Sequence, residues 1–360
     1  FHTDGVLQDS LIADNRAEND YGYGAGVEMS ATTMRRCIVS NNVSDYAAGV
    51  SALDATLDRC QIIYNRATGP KVKWGGGARI IRGSTRNCLF ACNQTPNIGG
   101  GVVFEGGMFY VGVTAMFENC TIVSNTAAVT GGGLWLRGTE PGYLFNNIMY
   151  ANNDPLTNDV LIENTNCVLA YNCAAVVLPG ENNSTNPPLF VNAAAGNFNV
   201  RADSPCRNTG MNRGWMTTAR DLEGKPRIME TIVERGALEF LAGLWCDFSA
   251  WPTQTLVDDA VQFTGEVWGT NTLGLYYLWD FNYDGSVEVQ GPGSNAPVWC
   301  YAAAGQYGVA LTVSNALGEA AQATRLDYIT VMPEPAGAML LAMLAGCFRK
   351  RGQTMRWFSR

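Results

Sequence analysis

The chain of 360 residues carries 24 basic and 32 acidic side chains, a net charge of −8, and only 16% charged residues against 47% apolar ones. An acidic chain has little with which to neutralise phosphates, which argues against nucleic acid as a partner, and so much apolar content argues against disorder. A single histidine, His2, excludes His-based triads and multi-His metal sites, and eleven cysteines set mostly singly, without paired CxxC elements, argue against zinc. The chain begins at Phe1 with neither an initiator methionine nor a leader-like stretch, and is read as processed or as a fragment.

From the start to residue 175 the pattern C-x-x-x-x-N recurs with apolar residues between its ends: Cys37/Asn42, Cys60/Asn65, Cys88/Asn93, Cys120/Asn125 and Cys167/Asn172, with Ser10/Asn15 and Asn147/Asn152 as relaxed forms. Successive starts lie 20 to 32 residues apart, and small-residue turns at 24–29, 47–52, 75–80, 99–104 and 131–136 lead into alternating strands. No stretch has the period of an amphipathic helix. Short strands at such a period predict a right-handed parallel β-helix over 1–186, each strand pairing with its equivalent one coil away at about 4.8 Å. In that register the cysteines point inward as one column of buried free thiols, which is preferred to a disulfide ladder because Cys is among the most buried residue types and Ser10 and Asn147 share its slot. The asparagines form a second column that satisfies the turns and ladders its amides along the axis. Cys92 and Cys173 fall outside the slot, so a pairing such as Cys167 with Cys173 stays open. The GGGLWL strand at 131–136 and its Asn-terminated partners resemble the repeats of polymorphic outer-membrane proteins, which implies a surface-displayed or secreted β-helix and names no reaction.

Residues 187–242 break the period. Their Pro188-Leu-Phe, Ser204-Pro205, Asp221-x-x-Gly-x-Pro-Arg227 and Gly236-Ala-Leu-Glu239 elements resemble the end region of bacterial β-helix proteins of the choice-of-anchor type, and the segment is expected to close the last open coil. Asp221 and Arg227 are read as an internal salt bridge or turn rather than as substrate ligands.

Over 243–331 short alternating strands predict a small Ig-like β-sandwich. Its Trp279-Asp-Phe-Asn-Tyr-Asp-Gly285 core and the run Tyr301, Gly305, Tyr307 and Val313-Ser-Asn315 resemble the PKD fold, which implies a spacer or a contact module for protein or glycan. Asp280, Asn282 and Asp284 before Gly285 copy the start of a calcium loop, but its twelfth position is Gly291 and not Glu, which rules out an EF-hand. They are read as organisers of a β-turn, with calcium as the alternative and no other cofactor.

The tail, 332–360, carries Pro333, Glu334 and Pro335, a 13-residue apolar run at 336–348, and Arg349, Lys350 and Arg351. The run is too short for a bilayer core that takes about 20 residues to cross. Proline hinge, apolar run and basic stop together resemble a PEP-CTERM sorting signal, which implies a transient membrane hold, an exosortase-type transpeptidase as partner, and export to the cell surface or extracellular matrix. The last twelve residues hold five basic groups and no acidic one, which leaves the rest of the chain at −13.

These readings combine into an exported, envelope-anchored, non-catalytic surface or matrix protein with an adhesive or structural role, its PKD-like unit serving as a stalk and extracellular polysaccharide or surface proteins as further partners. The alternatives are a β-helix polysaccharide lyase or glycoside hydrolase, and a glycan-binding module. For catalysis the nearest candidates are Asp54, Asp58, Lys71, Lys73, Arg79 and Arg82, which are read as a solvated face in preference to a catalytic cluster. For glycan binding they are Trp74, Trp135 and Trp268, which the packing of loops would also explain.

Overall fold

A computed structural model describes residues 5–17, 25–69, 75–106, 115–138, 141–156, 159–163, 166–269 and 271–333. Among them every regular element is a strand apart from two 3-10 turns, Ala193–Ala195 and Gly214–Thr217. The chain divides into two compact units between Phe240 and Leu241.

The first unit is a parallel β-solenoid of three sheets. In the first, Val50–Asp58 pairs with Ala78–Arg86, from Val50 opposite Ala78 to Asp58 opposite Arg86. The second stacks Leu11–Ala13, Ile38–Ser40, Gln61–Ile63, Leu89–Ala91, Thr121–Val123, Ile148–Tyr150 and Cys173–Ala174. The third is made of two-residue strands from Arg16–Ala17 to Thr126–Ala127. Alternation within each strand sends one set of side chains inward, so that Val39, Ile62, Phe90, Ile122 and Met149 stack on one another from coil to coil in one continuous core.

Corners between the sheets are made by non-glycine residues of positive φ. They include Arg36, Arg59, Asn87, Asn119 and Asn146 at the first corner and Asn41, Tyr64, Cys92, Ser124 and Ala151 at the second, with φ between 50° and 60°. Each stands one place before a ladder residue, so the turn conformation falls on the neighbour of the asparagine and not on the asparagine itself. A left-handed residue costs roughly 1–2 kcal/mol, and the ladders offset that cost. Along the second corner the Oδ1 of Asn42, Asn65, Asn93, Asn125 and Asn152 accepts both the backbone N–H and the Nδ2–H of the asparagine one coil earlier, at 2.8–3.1 Å. The third residue of each small turn passes directly over this amide. A Cβ on Gly101 would lie 2.8 Å from Asn125 Nδ2 and 2.6 Å from the Gly133 carbonyl, which is why glycine stands there.

At the first corner Cys37, Cys60, Cys88 and Cys120 are buried in one column between Ser10 and Asn147, and all ten described cysteines are free thiols. The last repeat needs a correction. Val168–Ala170 pairs with Tyr143–Phe145 in the first sheet, so Cys167 sits beside Gly142 and outside the cysteine column. Asn172 takes the cysteine slot instead: its Oδ1 accepts from Asn147 N at 3.0 Å and Nδ2 at 2.9 Å. The asparagine column ends on Asp159, whose Oδ1 accepts from Asn152 N at 2.6 Å and whose carboxyl burial pushes up to about 6. Both corners use the same strand–turn–Asn chemistry, so a six-residue match cannot tell one corner from the other.

Residues 176–184 close the last coil, with Val176 and Leu178 packed into the core and Ser184 N donating to Asn172 O at 2.8 Å. Residues 188–240 lie elsewhere, along the outer face of the second sheet. That face is apolar, and Ile63, Leu89, Ala91, Val123 and Ile148 on it are covered by Phe190, Phe198, Val200, Leu222 and Leu238. Ala237 N donates to Thr121 Oγ1 and Asn119 Nδ2 to the Glu234 carbonyl.

The second unit is a β-sandwich. Leu244–Trp251, Ala260–Gly269 and Val298–Cys300 form one antiparallel sheet; Gln254–Leu256, Ala320–Met332, Gly305–Ser314, Tyr276–Asp280 and Val289–Gly291 form the other. Trp279 is fully buried between them, with rings of Phe248, Phe263 and Phe281 within 5.7 Å and its Nε1 donating to Ser294 O at 2.7 Å.

Candidate functional site

The outward side chains of the first sheet stand in columns, because each is in register with the one a coil away. One column runs Arg35, Asp58, Arg86, Glu118, Phe145. A second runs Ile81, Glu105, Arg137, and beside it a third runs Ser51, Arg79, Val103, Trp135. Charges alternate in sign along the first column. Asp58 lies 3.4 Å from Arg35 and 3.5 Å from Arg59, and Glu118 lies 2.8 Å from Arg86.

Two of these carboxylates are almost fully buried and are held between guanidinium groups on both sides. Glu105 lies 3.3 Å from Arg79 and 3.9 Å from Arg137; Glu118 lies between Arg86 and, at 3.3 Å, Arg213 from the covering segment. Three of these four arginines also stand over a ring. Arg137 stands 4.6 Å above Trp135, Arg86 the same distance above Trp215, and Arg213 the same above Phe145. Such stacks contribute about 0.5–1 kcal/mol where exposed and more where dry. They also fix the donors of each arginine in one plane beside an apolar ring.

Of the residues singled out from the sequence, Asp58 and Arg79 lie in these columns. Asp54 pairs with Arg82 one coil on, both at positive φ on the same sheet. Trp135 is buried under Arg137, and Trp268 packs against Trp245 in the second unit, the rings tilted by 42° with centroids 5.2 Å apart. Lys71, Lys73 and Trp74 lie outside the described residues. Sequence reasoning missed Glu105, Glu118, Arg137, Arg213 and Trp215. Aligning the repeats on their glycine turns puts Ile81, Glu105 and Arg137 at one position, and that was the available signal for two of them.

Asp221 and Arg227 are wholly buried in the covering segment. Asp221 accepts from the backbone N–H groups of Glu223, Lys225 and Glu239 at 2.8–2.9 Å, and Arg227 pairs with Glu239 at 3.1 Å. Their partners are internal, which suits an architectural role.

In the second unit Asp280, Asp284 and Glu288 bring oxygens within 4.8 Å of one another, with Glu288 an addition to the sequence reading. The oxygens are engaged by the turn. Asp280 accepts from the N–H of Asp284 at 3.2 Å and of Gly285 at 2.8 Å, Glu288 from that of Phe281 at 2.8 Å, and Asn282 donates its amide to Asp284 at 3.0 Å. The N–H of Ser286 holds the Asp284 carboxyl below its usual value. Pro333 is the last described residue at this end; Glu334, Pro335, Arg349, Lys350 and Arg351 lie outside the described residues.

Residues 248–328 match the PKD domain family. No curated protein matches the chain. One similar solved structure concerns the structural basis for the promiscuous specificity of carbohydrate-binding modules from the β-sandwich superfamily; it is 24% identical over 27% of this chain, with a TM-score of 0.23. The chain matches 37% of that structure's length.

Proposed function

We propose that the chain is a surface-displayed, non-catalytic protein that contacts a neutral polysaccharide along the outer face of the first sheet. The observation behind this is the set of guanidinium-on-ring stacks at Trp135/Arg137, Trp215/Arg86 and Phe145/Arg213. The rings of Trp135 and Phe145 are buried beneath their arginines and hold them flat; each planar guanidinium donates to sugar hydroxyls, and the carboxylates that orient the arginines leave the face near charge balance. With the whole chain at −8, a neutral glycan is favoured over a polyanion. Catalysis by paired carboxylates would ask Glu105 and Glu118 to exchange protons while each is clamped by two arginines, which suits them less than a positioning role.

The test is binding of the purified chain to neutral and acidic polysaccharides, with release of reducing ends and unsaturated products followed in parallel. Arg137→Ala is expected to weaken binding about tenfold, the loss of one charge-assisted hydrogen bond of about 1.5 kcal/mol, while Arg201→Ala, in an exposed pair with Asp203, leaves it unchanged. Product release would favour the lyase or hydrolase reading, and no binding to any polysaccharide would overturn the proposal.

Export and anchoring form the second part of the proposal, supported by the Pro333-Glu334-Pro335 hinge, the short apolar run and the basic stop at Arg349-Lys350-Arg351. The PEP-CTERM and choice-of-anchor resemblances belong here, as does an exosortase-type partner. In the natural host the mature chain should end near residues 333–335 by intact mass, and recovery of a mature chain still carrying Trp357 would refute it. At the acidic turn of the second unit, the hydrogen bonds of Asp280 and Glu288 favour a structural role over calcium.

A further inference from the structure

Cys173 and Cys206 are both fully buried, and they come from different parts of the first unit. Cys173 begins the last strand of the second sheet and points to its outer face, since its neighbour Ala174 lies in the inner core. Cys206 belongs to the covering segment and packs into the same outer cluster, with Ile148 and Val200. The two thiols share that one buried cluster, in which the Cys173 thiol donates to Asn186 O at 3.1 Å. Arg235 anchors the junction, its N–H donating to Cys206 O and its Nη1 to Asn172 O, both at 3.0 Å. Cys167, the other partner open to Cys173 from the sequence, lies against Gly142 on the first sheet.

We propose that Cys173 and Cys206 are the site of a disulfide that staples the covering segment to the last coil of the solenoid. The oxidant is a small disulfide such as glutathione disulfide, or a protein disulfide of the same chemistry. The Cys173 thiolate attacks one sulfur of the oxidant and releases the first thiol. Cys206 then gives up its proton and attacks Cys173 Sγ in the mixed disulfide, releasing the second; two protein thiols are oxidised, one oxidant disulfide is reduced to two thiols, and the protons go to the leaving thiolates. Both sulfurs are shielded once the segment is seated, so the exchange belongs to the folding step in which it docks. The four stacked cysteines of the inner column point the same way from parallel strands, and their Cβ vectors do not turn toward one another as a disulfide requires.

The test is independent of export, because the oxidant is supplied. The full chain is unfolded, refolded with either a glutathione redox buffer or dithiothreitol, alkylated and mapped by mass spectrometry. The expected result is a crosslinked Cys173–Cys206 peptide pair after oxidative refolding, Cys37, Cys60, Cys88 and Cys120 recovered alkylated, and a melting temperature at least about 5 °C above that of the reduced protein. Cys206→Ser should abolish the difference and Cys92→Ser should keep it. Recovery of Cys173 and Cys206 as alkylated thiols after oxidative refolding, or a crosslink of either to another cysteine, would overturn the proposal, and mapping of the unsubstituted chain decides this even where a variant folds poorly.

Discussion

Replacing Asn93 with alanine is expected to destabilise the solenoid by about 4 kcal/mol, seen as a lower urea midpoint at unchanged slope. Asn93 has no exposed surface, and its carboxamide makes four hydrogen bonds. Oδ1 accepts from Asn65 N at 2.9 Å and Asn65 Nδ2 at 3.0 Å, while Nδ2 donates to Ile62 O at 2.8 Å and Asn125 Oδ1 at 2.9 Å. Truncation orphans the Asn65 N–H, at a cost of about 1–3 kcal/mol, and takes one partner each from Asn65 Nδ2, which keeps Val39 O and Ile63 O, from Asn125 Oδ1, which keeps the residue 93 N–H, and from the Ile62 carbonyl. It also removes the bonds that offset the left-handed conformation of Cys92 one residue earlier. Asn93→Asp should be no milder at neutral pH, because it turns an acceptor toward the Ile62 carbonyl and Asn125 Oδ1. The control is Asn15→Ala, at an exposed position of the same column, which should cost less than about 1 kcal/mol. Equal losses at the two positions would reject a role for the ladder in holding coils together.

The solenoid was legible because one position carries one chemistry in every coil. Cys37, Cys60, Cys88 and Cys120 align with one strand spacing between them, and so do Asn42, Asn65, Asn93 and Asn125. What escaped detection has physical reasons. The left-handed corner residues include Arg36, Tyr64, Ser124 and Ala151, and no composition marks them, because the conformation is imposed by the ladder residue that follows. The slip at Cys167 arose where two corners share one motif. The place of the covering segment escaped the sequence, and the structure shows its effect: Leu89–Ala91 and Thr121–Val123 are buried at all three positions, as in strands covered on both faces. The outer columns were hardest to see, because an ion pair between coils joins residues 26 to 32 positions apart, as with Arg79 and Glu105 or Arg86 and Glu118, and leaves no local pattern.

Arg227→Met should loosen the covering segment, with a loss of about 3–5 kcal/mol that depends on pH. Arg227 is fully buried; it pairs with Glu239 at 3.1 Å and donates to the Glu234 and Gly236 carbonyls. Glu234, Glu239 and Asp221 are buried beside it, and Lys225 lies 3.6 Å from Asp221. Burial outweighs the cations here: it pushes Glu234 up to about 7 and Glu239 up to about 8, and it raises Asp221 as well. A carboxyl whose folded value lies above its unfolded one takes up a proton on folding. Its contribution is therefore complete below the unfolded value near 4.5 and is lost as pH rises through 7 and 8. The unsubstituted protein should accordingly be less stable at pH 9 than at pH 6, and Arg227→Met should widen that gap, because the carboxylates that ionise in this range then lack their guanidinium. Adding Glu239→Gln to Arg227→Met removes one of the ionising groups and should recover part of the loss at pH 9 but little at pH 6. Hydrogen exchange of peptides spanning 219–240, followed from pH 6 to pH 9 with intrinsic rates normalised, reads this out directly. A flat profile in the unsubstituted chain, or equal losses for Arg227→Met at both ends of the range, would mean that these carboxyls ionise as freely in the fold as they do out of it.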